Sequence, residues 1–251
     1  MATPEKKVAN VTQRPVSASN HGRQGSLRRY LTQPDSLVTE QLRKLRSALA
    51  YHESGRSLRS LLITSCLPGE GKTTVAINLS AVMAKGDNAP VILIDADLRR
   101  RSLTSSMGLK SKPSLADVLA GNAEVQDVLV KTVINNLYIL PAGSNPSNPA
   151  ELIASAKMRN LLGHLKEQYE GSCIIIDSTP LISTSEPNVL TELVDGVLLV
   201  IQAEKTRRDI VKRELKSADS QKILGVVLNG ADFEASQYYR KYYTYESQQK
   251  R

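Results

Sequence analysis

Six short, almost uninterrupted apolar runs punctuate the chain: SLLITSC (60–66), PVILIDAD (90–97), NLYILPA (136–142), SCIIIDS (172–178), GVLLVIQ (196–202) and ILGVVLNG (223–230). Each has the length of a strand. None alternates apolar with polar residues, so each needs cover on both faces. Segments with helical spacing fill the gaps near 71–85, 150–169, 187–194 and 206–219. Strands and helices in turn predict an α/β fold with a mainly parallel sheet and helices on both faces. In such sheets ligands bind outside the carboxyl ends of the strands, so the residues that close these runs carry the chemistry.

The first run leads into CLPGEGKTT (66–74), and an amphipathic segment follows at once. A tight glycine turn between strand and helix aims successive backbone N–H groups, and the helix N-terminus, at phosphate oxygens. Cys66 stands where the usual pattern has its first glycine. The phosphates wrap mainly around Gly69 to Thr74, so a small residue at 66 is tolerated. Pro68, Gly69, Glu70, Gly71, Lys72, Thr73 and Thr74 are the predicted nucleotide-binding residues, with Lys72 on the phosphates and Thr73 on a metal ion.

Two further runs end in carboxylates: Asp95 and Asp97 after VILI, and Asp177 after CIII. A single aspartate at a strand end is usually a cap or turn residue. Three of them, in one chain with a Lys–Thr loop, suit a magnesium–phosphate group, because Mg²⁺ takes a few hard oxygens and keeps waters and phosphates for the rest. A P-loop nucleoside-triphosphate site is expected, with Thr73, Asp95, Asp97 and Asp177 as metal candidates and Lys72, Asp95 and Asp97 as catalytic candidates. Asn229, closing the last run, is the candidate contact for the base.

Composition limits the partners. The chain carries a net charge of +8, but residues 1–60 hold eleven Lys/Arg against four Asp/Glu, leaving the remainder close to neutral. A diffuse basic lead does not make a shaped nucleic-acid site, and no specific nucleic acid is expected. No run reaches the roughly 18–20 apolar residues of a membrane span, and no secretory leader is visible. The two cysteines flank apolar strands, which fits a reducing cytoplasm. Residues 1–33 are polar and basic and are expected to be disordered. Residues 34–232 form the expected P-loop domain, opened by a helix within 34–54 whose Leu42, Leu45 and Leu49 share one face. Residues 233–251 read as a flexible tail holding Tyr238, Tyr239, Tyr242, Tyr243 and Tyr245, five of the nine tyrosines.

The segments PGEGKTT, LIDADLRR and IIIDSTP resemble the three Walker-type motifs of bacterial protein-tyrosine kinases, the P-loop autokinases of capsule and exopolysaccharide systems. EQLRKLR, with Glu40, Arg43 and Arg46, is similar to that family's helical motif for subunit contact. NPSNPAELIAS (145–155) and GVVLNG (225–230) agree as well, so the likeness covers about residues 34–245. The resemblance implies transfer of the ATP γ-phosphoryl group, with Mg²⁺, to the tail tyrosines of an adjacent copy in a homo-oligomer such as a ring. It also implies a separate membrane-bound activator (the chain-length determinant of the polymer), a tyrosine phosphatase, and recruitment of a cytoplasmic protein to the inner face of the membrane. Two details depart from the family: LRRRS (98–102) lacks a proline after its arginines, and Thr179 stands where a second proline is common.

Two other readings compete. A partition-type ATPase of the same fold commonly carries a second lysine early in its phosphate loop, where this chain has Cys66, Leu67 and Pro68. A non-catalytic nucleotide-binding scaffold for polysaccharide export is the other.

Overall fold

In the computed structural model, residues 37–50, 58–86, 89–109, 113–143, 145–217 and 220–231 are described. The predicted N-terminal segment and the five tail tyrosines lie outside them. Seven strands form one sheet: β1 (Ser60–Ser65), β2 (Val91–Asp95), β3 (Val130–Lys131), β4 (Leu137–Leu140), β5 (Cys173–Asp177), β6 (Gly196–Gln202) and β7 (Ile223–Asn229), in the order β3-β4-β2-β5-β1-β6-β7. Every neighbouring pair is parallel except β3–β4. The six expected runs are the six parallel strands. Two-residue β3 has no sequence signal of its own.

The burial of these strands explains their composition. Every residue of β1, β2 and β5 is buried, as continuous apolar runs require. One face of the sheet meets α1 (Leu37–Ala50), α2 (Lys72–Gly86) and α3 (Ser102–Ser106) through Leu61, Ile63, Leu79, Leu93 and Leu103. The other meets α4 (Leu115–Ala120), α5 (Val125–Val128), α6 (Pro149–Ala154), α7 (Ala156–Gln168) and α8 (Glu186–Leu193) through Leu62, Ile94, Leu119, Leu162 and Leu190. On that second face α9 (Arg208–Ser217) closes a small cluster of Cys66, Leu181 and Leu199 with Ile210, Val211 and Leu215.

The expected helix near 150–169 is two helices. Pro149 starts α6, and Ser155 leaves helical geometry at φ −70°, ψ 155°, then caps α7 by accepting the Met158 N–H through its side chain. A serine favours this role because its hydroxyl replaces a missing backbone acceptor. In α1 the predicted stripe is inward: Leu49 is buried, and Leu42 and Leu45 pack on the same cluster as α2.

Candidate active site

The phosphate loop joins β1 to α2, and its backbone explains its residues. Gly69 and Gly71 sit at φ +85° and +90°, a region that side chains disfavour, whereas Cys66 is not among the left-handed residues. No glycine is therefore required at 66. The position lies fully buried against Leu181, Leu199 and α9, where a small apolar side chain gains from burial. That burial, with the Glu70 and Glu214 carboxylates nearby, pushes the Cys66 thiol up to about 12.

Glu70, predicted to contact nucleotide, turns its side chain inward and is 2% exposed. Its Oε2 accepts the Leu67 N–H at 2.5 Å, and its Oε1 accepts the Gln202 N–H at 3.3 Å and the Thr206 hydroxyl. Its carbonyl accepts Asn229 Nδ2 at 2.9 Å. A Cβ on Gly71 would fall 2.0 Å from that same Asn229 nitrogen. Asn229, the candidate base contact, thus serves in this structure as a brace across the back of the loop. Glu70 and Asn229 pin the loop to the ends of β6 and β7.

Three carboxylates gather at the mouth of the loop. Asp95 and Asp177 are paired in register across β2 and β5. Asp95, Asp97 and Asp177 are all fully buried. Lys72 Nζ lies 3.6 Å from Asp97 Oδ2 and 3.8 Å from Asp177 Oδ1. The three are not equivalent. Asp95 Oδ2 accepts both the amide (2.8 Å) and the hydroxyl (2.6 Å) of Thr104, which fixes α3 under the site. Asp97 Oδ1 accepts the Arg100 N–H at 2.9 Å. Among the described residues Asp97 Oδ2, Asp95 Oδ1 and both oxygens of Asp177 lack a hydrogen-bond partner at close range. Burial raises Asp177 to about 7 and Asp95 to about 6; the Lys72 charge opposes the rise at Asp177, and the two Thr104 bonds oppose it at Asp95.

Buried acceptor oxygens without donors are costly, and a cation with its waters would satisfy them. Among the described residues no group of three or more His, Cys, Asp or Glu side chains could hold a metal ion by itself. A hard cation sharing a few of these oxygens with phosphates fits the donor set.

Beside Asp97 opens a cleft of about 450 Å³ whose walls include Arg99, Arg100, Thr179, Thr184 and Glu186. Arg99 Nε donates to Glu186 Oε1 at 3.1 Å across it. Both departures from the family pattern acquire a local reason. Arg101 occupies the expected proline position at φ +53°, a conformation closed to proline. Thr179 is held by its carbonyl, which accepts the Thr64 hydroxyl at 2.9 Å, and by its own hydroxyl, 2.6 Å from that of Thr184. Thr104, Thr206 and Glu186 have no motif of their own in the sequence; only the fold brings them to the site.

The subunit-contact stripe divides. Arg43 pairs with Glu40 at 3.2 Å on the half-exposed surface of α1. Arg46 instead turns into its own subunit, donates to the Val82 carbonyl at 3.2 Å, and lies where a Cβ on Gly86 would stand. A guanidinium at the end of α2 meets the negative pole of that helix, so within one subunit Arg46 also braces α1 against α2.

Comparisons with known proteins agree with this geometry. Residues 62–216 match the family described as an AAA domain. Tyrosine-protein kinase YwqD of Bacillus subtilis (strain 168) is 33% identical over 202 residues, covering 80% of this chain and 84% of YwqD. The chain belongs to the bacterial tyrosine-protein kinases. The kinase domain of the Escherichia coli tyrosine kinase ETK superimposes with a TM-score of 0.75 at 29% identity, covering 80% of each chain. Other relatives are longer: the chain is 34% identical to the putative tyrosine-protein kinase EpsB of Ralstonia solanacearum, covering 79% of itself but 26% of EpsB. The kinase reading of the loop and its carboxylates therefore displaces the partition-ATPase and scaffold readings. Among the described residues no helix of this kinase is long and apolar enough to cross a membrane.

Proposed function

We propose that this kinase uses ATP with Mg²⁺ to phosphorylate Tyr238, Tyr239, Tyr242, Tyr243 and Tyr245 of an adjacent copy, and so regulates polymerisation and export of a capsule or exopolysaccharide. The observation that carries the reading is the buried trio of Lys72, Asp97 and Asp177, with unpartnered oxygens beside a cleft open to an acceptor. Family membership supports the phosphoryl donor and the acceptor chemistry.

Positioning and electrostatics supply most of the rate in such a transfer. The backbone of residues 68–74 and the N-terminus of α2 would cradle the phosphates. Lys72 would leave its carboxylate partners and stabilise charge on the β- and γ-phosphates. Thr73, Asp97 and Asp177 would hold the Mg²⁺, which supplies neutralisation of the phosphate oxygens. Asp95, already committed to Thr104, supports the site from below. The tyrosine oxygen bonds to the γ-phosphorus, the bond to the β–γ bridging oxygen breaks, ADP leaves, and the phenolic proton passes to Asp97. The cleft lined by Arg99 and Thr179 is the entry for the acceptor.

Glu40, Arg43 and Arg46 belong to the contact between copies in a homo-oligomer such as a ring. A separate membrane-bound activator recruits the cytoplasmic kinase to the inner membrane face, and a tyrosine phosphatase resets the tail. The domain organisation is 1–33, 34–232 and 233–251. Mixing Lys72→Met with a variant bearing all five tail tyrosines as Phe tests the transfer between copies. Phosphotyrosine on the Lys72→Met chain supports it; phosphate confined to chains that keep Lys72 refutes it.

A further inference from the structure

The surface formed by α9 and the edge strand β7 has no part in the mechanism above, yet it is built unlike the rest of the molecule. Between residues 205 and 216 six Lys/Arg face two acidic residues. Both acids are engaged: Asp209 pairs with Arg207 at 3.0 Å, and Glu214 pairs with Arg213 at 3.0 Å. Arg208, Lys212 and Lys216 are exposed and recur every fourth residue, which aligns them along one stripe of α9. Among the described residues none of the three has a carboxylate partner within ion-pair distance.

One strand beyond the strand that α9 packs on lies an apolar shelf. Val226 and Leu228 of β7 are 48% and 57% exposed. They pair in register with Leu199 and Ile201 of β6, so they lie on the face of the sheet that α9 covers through Ile210, Val211 and Leu215. The shelf is thus one strand spacing from the β6 residues that α9 packs against. A monomeric surface gains nothing from apolar side chains on an edge strand, which invites pairing with other chains. A row of cations on α9, with apolar side chains on the same sheet face one strand further out, fits a ligand that is aromatic and anionic together.

The chain itself delivers such a ligand. Gly230, at φ +69°, turns the backbone directly after β7, and the carbonyl of Asn229 accepts the Ala203 N–H at 2.8 Å. The last described residues of the chain thus lie beside the turn that leads into α9. Tyr238 follows Asn229 by nine residues, enough for an extended chain to reach roughly 30 Å, about twice the length of α9. Unmodified, residues 232–251 carry three acidic and four basic side chains and have no charge reason to approach a basic helix. Each phosphotyrosine adds about two negative charges.

We propose that the Arg208–Lys212–Lys216 stripe and the Val226–Leu228 shelf form a docking site for the phosphorylated tail of the same subunit. The site receives phosphotyrosine rings on the shelf and their phosphates on the stripe. Docking stores the modified tail on its own subunit, away from the neighbour's active site. The proposal rests on the kinase reading for the origin of the phosphate, but the docking itself is independent of it.

The test uses the full chain as Lys72→Met, which keeps its own tail unmodified, and a labelled synthetic peptide of residues 232–251 phosphorylated at the five tyrosines. Fluorescence anisotropy should show binding at least about tenfold tighter than for the unmodified peptide and weaker in salt. Arg208→Gln/Lys212→Gln/Lys216→Gln should abolish the difference, as should Val226→Ser/Leu228→Ser, with thermal unfolding of each variant confirming the fold. Chain already phosphorylated on its own tail should bind the peptide more weakly, through occupation in cis. Equal binding of the unmodified peptide overturns the proposal. So does equal binding of a peptide with five Glu in place of Tyr, which would assign the surface to a generic acidic partner. Retention of binding in both variants overturns it as well, placing the peptide elsewhere, such as the cleft beside Asp97. Because the peptide is synthetic, a chain that binds it yet never makes phosphotyrosine separates the failure of the kinase reading from that of the docking site.

Discussion

The two left-handed glycines of the phosphate loop should respond very differently to the same substitution. At Gly69, φ +85°, an added Cβ meets nothing within 4 Å. Gly69→Ala then costs only the left-handed backbone, about 1–2 kcal/mol. At Gly71, φ +90°, the Cβ falls 2.0 Å from Asn229 Nδ2, so Asn229 must leave the Glu70 carbonyl it holds at 2.9 Å. That adds about 1 kcal/mol for the bond and about 1–3 kcal/mol for the displaced packing. Gly71→Ala should therefore cost about 3–6 kcal/mol, a large share of a total stability of about 5–15 kcal/mol. Urea unfolding of the single variants, and of each combined with Asn229→Ala, measures this directly. In the Asn229→Ala background the cost of Gly71→Ala should fall to the backbone value alone, and Gly69→Ala should be unaffected. Equal costs for the two glycines, or no coupling between Gly71 and Asn229, would refute the brace.

Three other outcomes follow from the same geometry. Cys66→Gly should lower stability by about 1–2 kcal/mol through lost burial and a looser backbone, yet leave ATP affinity within about threefold, as seen by calorimetry; in the folded wild type the thiol should resist alkylation at pH 8. In metal-free, nucleotide-free solution, Asp177 near 7 and Asp95 near 6 hold protons that the unfolded chain releases near 3.8. Stability should then fall as pH rises from about 4 to 7, and Asp177→Asn should flatten that fall in urea titrations; a rise with pH, or an unchanged slope, counts against the buried-carboxylate account. Glu40→Ala/Arg43→Ala/Arg46→Ala should lower the oligomer mass in light scattering, and Arg46→Ala alone should also cost about 1–2 kcal/mol by loss of the Val82 contact; an unchanged mass would refute the interface.

Much of this architecture is legible before folding because local signals and global demands agree. Short continuous apolar runs set between helical segments read as strands covered on both faces, and the carboxylates that close them meet where parallel strands end together. Asp97, Asp177 and Lys72 were accessible to that logic. Glu70 was legible only as one of the loop residues: the inward turn of its carboxylate depends on the Leu67, Gln202 and Thr206 donors, two of them far along the chain. Thr104 and Glu186 were hidden for a similar reason, since their partners Asp95 and Arg99 lie 9 and 87 residues away along the chain. The Arg46–Val82 contact was also hidden, because a helical stripe records direction and not which neighbour each residue meets. The division of 150–169 turned on one residue, Ser155, whose capping role competes with an otherwise continuous helical pattern.

The central claim is that Lys72, Asp97 and Asp177 form an ATP site that delivers phosphate to the tail tyrosines. Purified full chain, incubated with ATP and Mg²⁺ alone and with the cytoplasmic segment of a membrane activator, should be mapped for phosphotyrosine by mass spectrometry. The account predicts phosphate within Tyr238–Tyr245, lost in Lys72→Met and Asp177→Asn and absent when the five tyrosines are Phe. Sustained ATP hydrolysis with no phosphotyrosine under either condition would contradict it.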